Sequence, residues 1–408
     1  MLKKIVKVAK REINNYKDVD YDHLTLIRFC KSNVEDDHFR LNLVLPKVDK
    51  KYVFGGISTA FTFFNKLAET LNAEKRVIAI DKPLSKNNKK EYPNYVLKDA
   101  SVDYKDLSSV MVSVDSKWRQ LNKLPVREND IFITTSWDTH FIFANVPSFQ
   151  KTAFNKKNNI IYLIQDFEPG FANWSSDYVL ADSTYKTGNT IAVFNSINLK
   201  EYMNKHGYSF DKELYFNPVL NASMARILKD ASLYNVKREN NVLLYGRPST
   251  SRNCFEVAVK SLKVLVQNYN LKSKWNFISI GEKHRDIDLG KGYKLRSVGK
   301  LSIENYSNLL LKSKIGISLM CSPHPSYPPL EMSTFGMKTI TNSFECKDLT
   351  DFNSNIISVD NLNYNNLACV LFNTMNSNSQ SEVQLNSSYV NDVGQFDDIL
   401  EYFKGIYN

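Results

Sequence analysis

Apolar runs of strand length recur along this chain, separated by segments of helical period, and halfway through the pattern starts again. In the first half the runs are "LNLVLP" (41–46), "RVIAID" (76–81), "VMVSV" (110–114), "DIFITT" (130–135), "NIIYLIQ" (159–165) and "TIAVFN" (190–195). In the second half they are "NVLLYG" (241–246), "WNFISIG" (275–281), "LRSVG" (295–299), "KIGISLM" (314–320), "KTITN" (338–342) and "NIISV" (355–359). A strand that is apolar on both faces must be covered on both faces, which is the condition of a parallel sheet flanked by helices. The intervening segments supply those helices. Ala60, Phe63, Phe64, Leu67, Ala68 and Leu71 fall at helical spacing within 57–72, and Phe255, Ala258, Val259, Leu262, Leu265 and Val266 do so after the strand 241–246.

The pattern predicts an α/β chain of two doubly wound, Rossmann-like domains facing each other across a cleft. A length of 408 residues suits two domains. The rhythm breaks in "YFNPVLNASMARI" (215–227), so the first domain is placed at 1–222 and the second at 223–388. A polar stretch, "NSNSQSEVQLNSS" (376–388), precedes a last helical pattern, "DDILEYFKGIY" (397–407). The terminal segment 389–408 is expected to pack back on the first domain.

The formal net charge of +10 suits an anionic partner without choosing one. No nucleic-acid module is recognisable and the basic residues are scattered, so nucleic acid is not expected as a partner. The five cysteines are widely spaced with no C-x-x-C, which argues against a disulfide framework or a zinc site and for a reducing, cytoplasmic setting. No apolar run is long enough to span a bilayer. In "MLKKIVKVAKREINNY" a narrow apolar stripe is surrounded by lysines, so residues 1–17 suit either peripheral contact with an anionic membrane or packing on the first domain.

"LLYGRPSTSRNCFE" (243–256) carries the sharpest signal. Arg247 and Arg252 share one strand-to-helix turn, and in doubly wound domains ligands bind beyond the carboxyl ends of the strands. A helix starting near Asn253 would add unpaired N–H groups and a positive dipole end. Two guanidiniums beside it match a diphosphate; two solvated loop arginines fit the same spacing. In "SYPPLEMSTFGMKTITN" (326–342), Pro328 and Pro329 pre-set a helix start and place Glu331 in its first turn. There Glu331 either complements the helix dipole or accepts hydrogen bonds from sugar hydroxyls. Tyr327 beside it could pack on a base, on a sugar, or in the core.

Three weaker signals sit at other strand ends. Gly55 and Gly56 in "YVFGGIST" (52–59) would let backbone approach a ligand, or simply make a tight turn. Asp166 and Glu168 in "QDFEP" (165–169) could orient or deprotonate an acceptor hydroxyl, or pair with surface lysines. Lys300, after Gly299, could add a third positive charge to the same anion. His140 follows a strand end and is read as packed or solvated rather than catalytic. The acid pairs "DVDYD" (18–22) and "DID" (286–288) are not read as metal sites, and there is no H-E-x-x-H, P-loop or G-x-S-x-G.

Taken in order, these segments resemble the family 4 glycosyltransferases of GT-B fold. "GRPSTSRN" resembles that family's G-R-x-x-x-x-[KR] turn, and "LEMSTFGMKTITN" resembles the segment that begins at its second motif glutamate. The resemblance implies that Arg247 and Arg252 bind the donor diphosphate and that Glu331 binds the nucleotide ribose. Pro323 stands where the family's first motif glutamate belongs. "YLIQDFEPGF", "LADSTYKTG", "YGRPSTSRN" and "SPHPSYPPLEMSTFG" are more similar to bacterial dTDP-rhamnose-dependent rhamnosyltransferases of surface-glycan synthesis. That branch implies donor contacts from Gly299, Lys300, Tyr327 and Glu331. Arg247, with the strand-end acids Asp166 and Glu168, is read as catalytic, the acceptor as a glycan or lipid-linked glycan, and the family resemblance implies retention of configuration and no metal cofactor. The missing glutamate leaves open a non-catalytic nucleotide-sugar or glycan binder on the same fold.

Overall fold

The computed structural model describes residues 22–49, 55–105, 107–229, 237–377, 382–390 and 394–407. The basic segment 1–17 and most of the "DVDYD" run lie outside the described residues.

Two parallel sheets organise the chain. The strands, in chain order, are β1 (Phe29–Lys31), β2 (Arg40–Leu45), β3 (Glu74–Ala79), β4 (Val96–Leu97), β5 (Ser109–Ser113), β6 (Leu124–Val126), β7 (Asp130–Thr134), β8 (Ile160–Ile164), β9 (Thr190–Phe194) and β10 (Lys212–Tyr215), then β11 (Glu239–Gly246), β12 (Asn276–Gly281), β13 (Ile287–Gly290), β14 (Tyr293–Gly299), β15 (Ser313–Ile317), β16 (Lys338–Asn342) and β17 (Ile356–Val359). The first sheet runs β10-β9-β8-β7-β2-β3-β5-β4 and the second β13-β14-β12-β11-β15-β16-β17; β1 and β6 pair separately. Each order reverses direction beside its first strand, as doubly wound sheets do. Every pair is parallel except β13 with β14. The strands that the apolar pattern missed are β1, β4, β6, β10 and β13. Three of these, β4, β10 and β13, are sheet edges. An edge strand has water on one side and needs no continuous apolar run.

Alternation along single strands shows both faces covered. Leu41, Leu43 and Leu45 of β2 enter one core cluster and Val44 enters another. Val242 and Leu244 of β11 point into one cluster and Leu243 into a third. Five helices matter below: α1 (Gly55–Thr70), α2 (Trp137–Phe143), α3 (Phe255–Asn268), α4 (Tyr327–Thr334) and α5 (Asp397–Tyr407). The terminal helix α5 packs on α1, with Phe63 against Phe396 and Phe403.

The chain therefore passes twice between its two halves. Phe216 lies in the first domain's core and Leu220 in the second's; on the return, Tyr389 lies in the second and Phe396 in the first. The two passages are tied together. The amide of Leu220 donates to the carbonyl of Tyr389 at 2.7 Å, and Gln395 Nε2 donates to the carbonyl of Asn217 at 3.0 Å.

The amino-terminal end of the first sheet holds a buried ion cluster. Arg40 donates two bonds to Asp130, at 2.6 and 2.7 Å, and Arg127 donates to Asp103 at 2.8 Å. Arg76 reaches Asp130 at 3.4 Å. This cluster lies at the opposite end of the strands from the carboxyl ends, where doubly wound domains bind ligands.

Candidate active site

The arginine turn begins where β11 ends at Gly246. A side chain at Gly246 would collide with Ser279 Oγ and the Phe255 ring, so glycine is needed where β11 meets the start of α3. The turn is braced from β12. Glu282 Oε2 accepts from the amide of Ser249 at 3.0 Å and from its hydroxyl at 2.7 Å. Residues Ser251–Asn253 form one 3₁₀ turn, Cys254 adopts a left-handed φ of 51°, and α3 begins at Phe255. The helix thus opens two residues later than the sequence suggests, with both arginines on the turn before it.

The structure brings these arginines together with residues far away in sequence. Tyr245 is half-buried, and its hydroxyl lies in the field of Arg247, Arg252 and Glu331; burial pushes its pKa up while the two arginines pull it down. Arg247 is exposed at the mouth. Arg252 is half-buried, its guanidinium 4.0 Å from the centre of the Phe171 ring and its Nε 3.7 Å from Asp166 Oδ2. Burial lowers the Arg252 pKa, Asp166 opposes that shift, and Arg247 adds to it. Asp166 and Phe171 belong to the first domain, so this arginine spans the cleft. Ser322 of the second domain also donates its hydroxyl to Asp166 Oδ1.

Of the two acids in "QDFEP", only Asp166 faces across the cleft. Glu168 turns back and accepts the amide of Trp137 at the start of α2. Desolvation, and then the neighbouring Asp138, hold the Glu168 carboxyl well above the usual carboxylate range. The two carboxylates therefore have different partners, Trp137 for Glu168 and Ser322 for Asp166. Gly55 and Gly56 open α1 itself rather than forming a loop before it. A side chain at Gly56 would sit 2.5 Å from Gln165 Oε1, so this glycine lets α1 close onto the residue before Asp166.

Glu331 lies beyond the first turn of α4, which removes the basis for a dipole-complementing role. Its Oε2 accepts from the Tyr306 hydroxyl at 2.9 Å, and desolvation raises its pKa to about 7. Tyr327 is half-buried, with its hydroxyl against Thr59 of α1, a further contact between the domains. Gly299 ends β14 at a left-handed φ of 73°, and Lys300 follows it, exposed. Two strand spacings, about 10 Å, separate that end from the arginine turn.

His140 is a core residue. It is fully buried between Thr134 and Thr187, at 2.9 Å from each, and its ring stacks on Tyr162. Burial lowers its pKa to about 3. The "DID" carboxylates bond nearby backbone, Asp286 to the amide of Ser297 and Asp288 to that of Gly290.

Sequence reasoning missed Ser322, His324, Phe171 and Tyr245. His324 is buried; its Nδ1 accepts the amide of Ser326 at 3.0 Å, which puts the proton on Nε2, and Nε2 has no partner among the described residues. Burial brings its pKa down to about 4. The only available hint was "SPHPSYPP" itself: a histidine between prolines, just beyond a strand end.

Residues 40–197 match the WsaF N-terminal domain, and residues 240–371 match the WsaF C-terminal domain. The two matches follow in order and together cover most of the chain. The chain belongs to the WsaF family. Its fold is that of the GT-B glycosyltransferases. Among solved structures it is similar to Anabaena HepE in complex with UDP and glucose, at a TM-score of 0.58 and 9% identity, covering 90% of this chain and 99% of that one. It is also similar to sucrose-phosphate synthase from Thermosynechococcus elongatus, at a TM-score of 0.53 and 10% identity, covering 91% and 98%. At such identities the likeness concerns the fold. A curated relative of this family member is the O-antigen biosynthesis protein RfbC of Myxococcus xanthus, 28% identical over 187 residues, or 44% of this chain. The match spans only 14% of that protein's length. Among the described residues no helix is long and apolar enough to cross a membrane.

Proposed function

We propose that this chain is a glycosyltransferase of surface-polysaccharide synthesis that takes its sugar from a nucleotide-sugar donor. The observation that carries this reading is the pairing across the cleft: Arg252, on the second domain's anion-binding turn, sits 3.7 Å from Asp166 on the first. In this reading the donor diphosphate lies on Arg247 and Arg252, with Lys300 adding charge from the end of β14, two strands along the sheet. These groups stabilise the charge that grows on the diphosphate as the sugar leaves. Glu331 accepts hydroxyls of the nucleotide sugar ring, and Gly299 and Tyr327 line the donor. Asp166 orients the acceptor, a glycan or lipid-linked glycan. Domain closure about the paired passages excludes water and limits donor hydrolysis. Support comes from relatives: HepE is solved with UDP and with UDP-glucose, and RfbC is named for O-antigen biosynthesis.

The finer reading is transfer of rhamnose from dTDP-L-rhamnose, as in family 4, with retention and without a metal. It rests on the motif resemblance of "YGRPSTSRN" and "SPHPSYPPLEMSTFG". Peripheral membrane contact through residues 1–17 belongs to the same proposal. Loss of sedimentation with anionic vesicles on deleting 1–17 would support that contact, and equal sedimentation would reject it.

A thermal-shift and turnover panel of dTDP, UDP and GDP with their sugars tests the donor. A ligand at 100 times its dissociation constant stabilises by about 2.7 kcal/mol. The largest shift and turnover are expected with dTDP-rhamnose. Preference for a UDP-sugar would keep the transferase and reject the rhamnosyl donor. Binding of a nucleotide sugar without turnover on any glycan acceptor would favour a non-catalytic binder.

A further inference from the structure

Two thiols that the proposed chemistry leaves unused meet beside the arginine turn. Cys254, at the start of α3, and Cys321, on the loop after β15, have their sulfurs 3.2 Å apart, although 67 residues separate them in sequence. The backbone already ties the two segments together, since the amide of Cys321 donates to the carbonyl of Arg252 at 2.8 Å. Cys321 is exposed and Cys254 half-buried, so a small oxidant can reach the pair from one side. Lys347 is buried next to it, with Nζ 2.6 Å from the carbonyl of Met320. The other three cysteines, Cys30, Cys346 and Cys369, have no such partner thiol among the described residues.

We propose that Cys254 and Cys321 form a reversible dithiol–disulfide site, oxidised by peroxide, that locks the arginine turn to the cleft loop carrying Ser322 and His324. Geometry assigns the roles. Cys321 is the exposed sulfur and the attacking one. The hydrogen bond with Cys254, and then the Lys347 charge, lower the Cys321 pKa against the opposing effect of burial and favour its thiolate. Cys254, whose thiol stays protonated, resolves the intermediate. In the first step the Cys321 thiolate attacks one peroxide oxygen. An S–O bond forms, the O–O bond breaks and hydroxide leaves, so the Cys321 sulfur is oxidised by two electrons to sulfenic acid. In the second step the Cys254 sulfur attacks the Cys321 sulfur. The S–S bond forms, the S–O bond breaks, and the departing hydroxide takes up a proton as water. Overall, two thiols lose two electrons and two protons, and one peroxide becomes two waters. Thiol–disulfide exchange with a small dithiol reverses the process.

The lock follows from where the bond would sit. Cys254 lies two residues after Arg252, and Cys321 directly precedes Ser322, which bonds Asp166 on the other domain. A disulfide needs its sulfurs about 2 Å apart, so closing it draws the two segments together.

The test uses the full chain, treated with hydrogen peroxide and then alkylated and mapped by mass spectrometry. Five alkylated cysteines are expected in reduced protein and three after peroxide, with a Cys254–Cys321 cross-linked peptide lighter by two hydrogens. Dithiothreitol should restore all five. In Cys254→Ser, Cys321 should stop at sulfenic acid and be captured by dimedone. In the disulfide form, amide exchange at 319–322 should slow. Retention of five free thiols, pairing of either cysteine with another residue, or an intermolecular link would each overturn the proposal. Mapping on the wild-type protein decides the matter even if the variant fails to fold.

Discussion

Arg252 and Asp166 face each other across the cleft at 3.7 Å, one from the turn after β11 in the second domain and one from the strand end of the first. The same carboxylate accepts from Ser322, so a single acid holds two groups of the opposite domain. Asp166→Asn keeps an acceptor for Ser322 and removes the charge facing Arg252. Misplacement of reacting groups by about 1 Å can cost on the order of 100-fold in rate. A kcat loss of that order is expected, with thermal stability little changed, because the pair is partly solvated and contributes little to folding. Steady-state kinetics beside a melting curve measures both. Unchanged kcat would remove Asp166 from the acceptor side.

Arg247 is exposed at the mouth of the turn, so its loss should leave the fold intact. Arg247→Ala is expected to lower transfer about 100- to 1,000-fold, the usual effect of removing one donor from a charge-stabilising site. Wild-type turnover in the folded variant would reject the diphosphate assignment.

Glu331, proposed to hold the donor, makes stability depend on pH. Its folded pKa is raised to about 7, mainly by desolvation, against an unfolded value near 4.3. A carboxyl with a raised folded pKa binds its proton more tightly when folded. Its contribution to stability is therefore full below the unfolded value and declines as pH rises toward 7. Glu331→Gln should flatten that decline, so the variant's melting temperature gains on wild type between pH 4.5 and 7.5 by about 2 °C or more. Parallel melting curves for the two proteins would contradict the buried-carboxyl picture. If Glu331 also binds the sugar ring of the nucleotide, Glu331→Gln should weaken a ribose-bearing donor more than a deoxyribose-bearing one, since the latter has one hydroxyl fewer.

The buried cluster at the other end of the first sheet makes a prediction about stability alone. Asp130 is fully buried between Arg40 and Arg76. Asp130→Ala leaves Arg40 with Asp103 as its remaining carboxylate and Arg76 with only the neutral oxygens of Asn42 and Pro125, and breaking a buried ion pair from one side typically costs about 3–5 kcal/mol. Urea denaturation should show a loss of that size. A loss below about 1 kcal/mol would mean that water reaches the arginines.

In the proposed reading donor turnover survives EDTA, because two guanidiniums and a helix start would carry the diphosphate charge. Activity lost on chelation and restored by Mg²⁺ would overturn the metal-free reading.

The strand pattern made both parallel sheets and the strand–turn–helix around Arg247 and Arg252 legible in the sequence. Burial on both faces forces continuous apolar runs, and those runs are local. Edge strands such as Lys212–Tyr215 escaped because they obey no such demand. Local pattern also read Glu331 as a first-turn residue, since two prolines announce a helix without fixing its first residue. Only the tertiary structure decided that Glu168 turns to the amide of Trp137 while Asp166 crosses to Ser322, 156 residues away. It alone decided that Gly56 serves the approach to Gln165, and that His140 is sealed between two threonines. Periodicity reports which face of an element is buried. Which elements meet depends on the paired passages near Leu220 and Tyr389, and no local window of sequence contains both.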